Sequence, residues 1–113
     1  MSLKERRAAD DAAARLAAGA AGYALGAPVE EIVGEARGSA EAAFARQVAM
    51  YLCHVSLEWS LGRIAQAFGR DRSTVAHACH SIEDRRDDDA FDDWIAALEE
   101  SVRTAAPSRT AQR

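Results

Sequence analysis

At 113 residues and 49% apolar content, the chain is long enough for one modest hydrophobic core and no more. A net charge of −4 speaks against an indiscriminate, strongly basic nucleic-acid binder and puts the weight on how charge is distributed. No apolar run approaches about eighteen residues and no cationic, apolar leader is present, so neither a membrane span nor a signal peptide is expected and the protein is placed in the cytoplasm.

Few β-branched runs, no alternating pattern and only Pro28 and Pro107 predict an all-α chain folded as a small helical bundle. Residues 2–25 read as a helix rich in alanine. Its charges, Lys4, Glu5, Arg6, Arg7, Asp10, Asp11 and Arg15, crowd the first half. Leu16, Ala20 and Tyr23 are assigned to one apolar side, and Gly26-Ala27-Pro28 is expected to stop the helix. Residues 1–17 are read as a helical, solvated extension and 18–104 as the folded domain. An oligomerisation helix is the alternative for the extension, although an alanine-rich face buries little area per residue.

Val29–Val33 suggests a short helical turn and 34–41 a loop. Residues 41–55 form a long helix in which Phe44, Val48, Leu52 and Val55 run down one side with Tyr51 beside them. Arg46 falls nearly opposite that stripe and is expected to face outward. Leu57 and Trp59 are read as core.

Residues 60–82 carry two short helical patterns split by a polar break. Leu61, Ile64, Ala65 and Phe68 make the first stripe, with Ser60 as N-cap. Gly69-Arg70-Asp71 is the break. Val75, Ala78, Cys79 and Ile82 make the second stripe, and the Asp71 carboxylate is expected to accept from the orphan amides of the first turn. At about 100° per residue Ser73, His77, His80 and Asp84 then point outward, with Arg72 and Thr74 beside them at the helix start. This is a helix-turn-helix pattern whose second helix, 71–84, presents donors and acceptors of the kind that reach base edges in a major groove. An ordinary helical hairpin with a wet outer face shares the same spacing, and spacing alone leaves both readings open.

Asp87-Asp88-Asp89 opens the last element, a sign that suits a helix N-terminus. Phe91, Trp94, Ile95, Leu98 and Val102 form an amphipathic stripe expected to pack across the bundle, with a partner-binding helix as the alternative. From residue 104 onward no pattern continues, and 105–113 is read as a disordered tail.

Cys53 and Cys79 sit in apolar helical patterns and are read as reduced core thiols. With His54, His77 and His80 they lack the spacing of a structural zinc site, so neither metal nor cofactor is expected. There is no paired-carboxylate pocket, no nucleophile with an oriented base and no G-x-x-x-x-G-K-[ST]. The chain is therefore expected not to be an enzyme and to bind no nucleotide.

The words Ala45-Arg46-Gln47-Val48-Ala49-Met50-Tyr51-Leu52, Ala67-Phe68-Gly69 and Arg70-Asp71-Arg72-Ser73-Thr74-Val75-Ala76-His77-Ala78-Cys79 closely resemble the C-terminal domain of the bacterial replication initiator DnaA. The resemblance covers roughly residues 18–84, reaching back through Tyr23 and Val29-Glu30-Glu31-Ile32. It implies an all-helical unit, Trp repressor-like in its helix-turn-helix, that reads short A/T-rich boxes in duplex DNA. It also implies that Arg46 and Gln47 clamp the DNA backbone. Arg63 and Arg70 are assigned to phosphates, Thr74 and His77 to a base or phosphate, and Ser60, Asp71, Arg72 and Ser73 are counted with them as DNA-binding.

The departures matter as much. The family's loop before the long helix is strongly basic and sends an arginine into the minor groove. Here it reads Gly34-Glu35-Ala36-Arg37-Gly38-Ser39-Ala40-Glu41, with Arg37 as the one candidate and two glutamates that repel phosphate. One of the two glycines that usually precede the Arg-Asp pair is missing. A frequent histidine is Arg72, a threonine is Ser73 and a proline is Gly62. Arginine reads guanine O6 and N7, so the expected site is related to the initiator's box with more weight on a G·C pair opposite Arg72. Residues 83–100 hold nine carboxylates against Arg85 and Arg86, which puts the acidity after the recognition helix.

The expected partner is double-stranded DNA, with a second copy or a replication or transcription protein as further possibilities, and the expected role is regulation of transcription or replication initiation. A protein-interaction adaptor that keeps the fold with weak DNA affinity is the alternative.

Overall fold

The computed structural model describes residues 1–34 and 38–106. Six helices follow one another in these residues: α1 (Leu3–Leu25), α2 (Val29–Val33), α3 (Ala40–Val55), α4 (Leu61–Phe68), α5 (Arg72–Arg85) and α6 (Asp89–Ala105). Among the described residues no strand occurs, and no helix is long and apolar enough to cross a membrane. The minor-groove expectation for Arg37 lies outside the described residues, as does the tail from residue 107.

α1 starts with a capping box: Ser2 Oγ accepts from Glu5 N at 3.1 Å, and Glu5 Oε1 accepts from Ser2 N at 3.4 Å. It ends at Gly26, left-handed at φ 74°, as the Gly-Ala-Pro triplet predicts. Its buried face is Ala14, Ala17, Ala18, Ala21 and Gly22, spaced i, i+3, i+4, i+7 and i+8. At Gly22 an added Cβ would stand 2.4 Å from the Ala27 carbonyl oxygen, so only glycine fits under the returning chain. The assignment of Tyr23 to the apolar side is corrected: Tyr23 is 95% exposed. Nine residues at about 100° each place it half a turn from Ala14, and a seam this close admits alanine but not a phenol ring. The expected boundary between residues 17 and 18 falls inside one continuous helix, with Ala17 and Ala18 both buried.

α3 is the axis of the bundle and packs against α1, α2, α4, α5 and α6. Ser39 caps it, accepting from Ala42 N at 3.1 Å. Because neighbours surround it, Val48, Ala49, Met50, Tyr51, Leu52 and Cys53 are all buried, a wider apolar band than one stripe. Trp59 joins the core, and its amide donates to the Cys53 carbonyl at 3.1 Å. α6 lies across α1 and α3 and buries Ile95 and Val102 fully and Phe91, Trp94 and Leu98 in part. The Phe91 ring stands 5.5 Å from Trp94 and 6.5 Å from Phe44, with the Arg85 guanidinium over both phenyl rings. The apolar stripe of α6 is thus spent on its own bundle, and the helix runs through Thr104 and Ala105 into the stretch read as patternless.

Candidate nucleic-acid interface

α4 and α5 make the helix-turn-helix that the two stripes predict. Ser60 Oγ caps α4 by accepting from Arg63 N at 3.2 Å. Gly69 at φ 62° ends it, and Arg70 N closes the turn on the Ala65 carbonyl at 3.0 Å. Val75, Ala78, Cys79 and Ile82 are buried, which turns Arg72, Ser73, Thr74, His77 and His80 outward, all exposed. Asp71 sits at the N-cap, but its carboxylate makes no capping bond; that expectation is corrected. The carboxylate stays exposed beside Arg72. His80 Nε2 lies 3.4 Å from Asp84 Oδ2, a local pair one turn further along.

Three arginines assigned to phosphate are engaged by the protein itself. Arg46, expected on the outside, is 8% exposed, and this is the main correction. Its Nε donates to Ile32 O and its Nη2 to Glu31 O, each at 2.8 Å. Burial, and then repulsion from Arg70, lowers its pKa. The physical reason lies in α2, which has no basic residue in its last turn, so its carbonyl end takes donors from α3. Gln47, next along α3, is half-buried.

Arg70 does a similar job. Its Nη2 donates to Gly34 O at 2.9 Å and its Nη1 to Phe68 O at 3.1 Å, tying the helix-turn-helix break to the end of α2. Arg63 reaches back to α1 instead: Nε to Asp10 Oδ2 at 3.0 Å and Nη2 to Asp10 Oδ1 at 2.7 Å, with the guanidinium 4.2 Å from the Trp59 ring. The hydrogen bonds to Asp10 raise the Arg63 pKa.

A polar knot at the base of α5 had no sequence signal beyond the residue types. Tyr51 Oη donates to Glu83 Oε2 at 2.5 Å, while Arg86 donates through Nη1 to Tyr51 Oη at 3.0 Å and to Glu99 Oε2 at 2.8 Å. Its Nε donates to Asp92 Oδ1 at 2.5 Å. Burial, then donation to Glu83, pushes Tyr51 up to about 12. For Arg86 burial works against the charge, yet the bonds to Tyr51, Asp92 and Glu99 outweigh it and raise the pKa. The knot fixes α5 to α3 and α6, and it engages Glu83, Asp92 and Glu99 from the acidic stretch 83–100.

Distance handles much of the remaining acidity. α5 has 14 residues, so at 1.5 Å per residue Asp87 to Asp89 lie about 20 Å from its N-terminus, beyond a Debye length of about 8 Å. At the other end of α5 the nearest charges along the chain are Arg70, Asp71 and Arg72. Cys53 and Cys79 are free and buried; burial pushes them up to about 12 and about 11, so both are held as thiols. Among the described residues no three His, Cys, Asp or Glu side chains gather as a ligand set.

Over residues 23–82 the chain matches the family model described as the bacterial DnaA protein helix-turn-helix. Two solved structures share its fold, each with a TM-score of 0.79 and each covered over 93% of this chain and 32% of the other. One is the crystal structure of a DNA replication initiation factor, 27% identical, and the other is the replication initiator DnaA bound to AMPPCP and single-stranded DNA, 26% identical. This chain thus spans about a third of the length of these relatives.

Proposed function

Because this chain belongs to the bacterial DnaA helix-turn-helix family, we propose that it binds double-stranded DNA sequence-specifically through the N-terminal half of α5. The observation that carries this reading is the division of α5 into a buried stripe and an exposed Arg72-Ser73-Thr74-His77 face beginning at the N-cap. Arg72 would read a guanine edge, Thr74 and His77 a base edge or phosphate, and Asp71, whose carboxylate makes no cap bond, an exposed cytosine amine. Ser60, Gln47 and the α4 surface would meet phosphates. Arg46 and Arg70 act indirectly, by holding the end of α2 beside the motif.

The protein then regulates transcription or replication by occupying sites. Selection from random duplexes tests this. A recovered site related to the initiator's box, with a G·C pair that weakens on Arg72→His, supports the reading. Recovery of the unmodified box with no sensitivity to Arg72→His counts against it. The adaptor reading draws on the net charge of −4 and on the Asp10 carboxylate that neutralises Arg63. It expects weak duplex binding or none, without preference for one sequence.

A further inference from the structure

A groove of about 680 Å³ opens between the N-terminal half of α1 and the first turns of α4. Arg6, Arg7 and Asp10 line it from α1, and Gly62, Arg63 and Gln66 line it from α4. Three guanidiniums therefore face one carboxylate, the reverse of the chain's overall balance. Both oxygens of that carboxylate are already taken by Arg63. Arg6 and Arg7 are exposed, and among the described residues neither enters an ion pair. Gly62 leaves the α4 wall open, since a Cβ there would meet nothing within 4 Å.

The place of this groove gives it an occupant. In a helix-turn-helix the second helix enters the major groove while the first crosses the phosphate backbone. α4 is that first helix, and α1 lies against it. We propose that the groove is a second contact for duplex DNA, in which Arg6 and Arg7 hold phosphates flanking the segment read by α5. Lys4 and Glu5, exposed beside it, offset each other. Asp11 borders the adjoining furrow with Arg7 and Gln66 and so limits the contact to the end nearest the start of α1.

This inference rests on duplex reading by α5, and the test separates the two. The full chain and its Arg6→Gln, Arg7→Gln double variant are titrated with two duplexes carrying the same selected site. One ends at the site, and the other is extended on each side by one helical turn, about ten base pairs. We expect the unaltered protein to gain roughly five- to tenfold on extension and the variant to lose most of that gain, with a logarithmic salt slope shallower by about 1 to 2 on the long duplex. The short duplex should bind both alike, and their thermal unfolding should coincide because both side chains are exposed. Equal affinity of the two proteins for the long duplex overturns the proposal, as does an equal loss on both duplexes. If the unaltered protein binds neither duplex, the reading of α5 fails and this inference falls with it; capture of an acidic polypeptide in place of DNA overturns both in the same way.

Discussion

Arg70 Nη2 donates to the Gly34 carbonyl oxygen at 2.9 Å, so the break before α5 is tied to the end of α2. Arg46 donates to the carbonyls of Glu31 and Ile32 just before it. Two cations thus converge on the carbonyl end of a five-residue helix that carries none of its own. Replacing Arg70 by alanine should cost about 1–2 kcal/mol and speed hydrogen exchange at residues 32–34. Lysine keeps the charge without the fork, so Arg70→Lys should resemble alanine in exchange. Full protection in Arg70→Lys would show that charge alone does the work.

The pairing of Arg63 with Asp10 sets a second expectation. With side chains 46% and 17% exposed, this ion pair contributes at most about 1 kcal/mol. Asp10→Asn should leave unfolding nearly unchanged while raising duplex affinity two- to fivefold, roughly one freed cation, and steepening the salt slope by about 1. Unaltered binding in Asp10→Asn would place Arg63 away from the backbone.

Stability at high pH should depend on Tyr51. Its folded pKa, about 12, stands above the ordinary phenol value of 10.0, so the neutral form is the one the fold favours. The stabilisation is complete below pH 10 and is lost as pH rises from about 10 to about 12. Urea titrations across that window should show the decline, and Tyr51→Phe should flatten it. Arg86→Met leaves Asp92, Glu99 and the Tyr51–Glu83 pair without their cation and should destabilise by roughly 2–3 kcal/mol at neutral pH.

Glu58 has φ 59°, the one left-handed non-glycine among the described residues, in the link from α3 to α4. Left-handed backbone costs a side-chain-bearing residue about 1–2 kcal/mol, and glycine gives back about 0.5–1 in chain entropy. Glu58→Gly should therefore stabilise by about 0.5 kcal/mol and raise Tm by about 2–4 °C. A lower Tm would mean that Glu58 makes a compensating contact.

Much of this was legible in the residues. Helical periodicity placed Ile64, Phe68, Val75 and Ile82 inward, which in turn set the outward face of α5. Gly26 and Gly69 marked helix ends because left-handed backbone favours glycine. Pattern failed where small residues did the packing: the α1 seam is alanine and glycine, so Tyr23 drew a stripe that the fold does not use. It failed again at Arg46, whose partners are backbone carbonyls about fourteen positions away and carry no side-chain signature. The bonds of Arg63 to Asp10 and of Arg86 to Tyr51 likewise join distant positions that only the folded chain brings together.

The most direct test of the α5 surface is equilibrium binding of the full chain to a selected duplex and to its scrambled counterpart, between about 50 and 200 mM salt. We expect the selected duplex to bind at least about a thousandfold tighter, with a logarithmic salt slope near −4, and Thr74→Ala and His77→Ala to erode that preference. Equal affinity for both duplexes, or no association with either at the lowest salt, would contradict it.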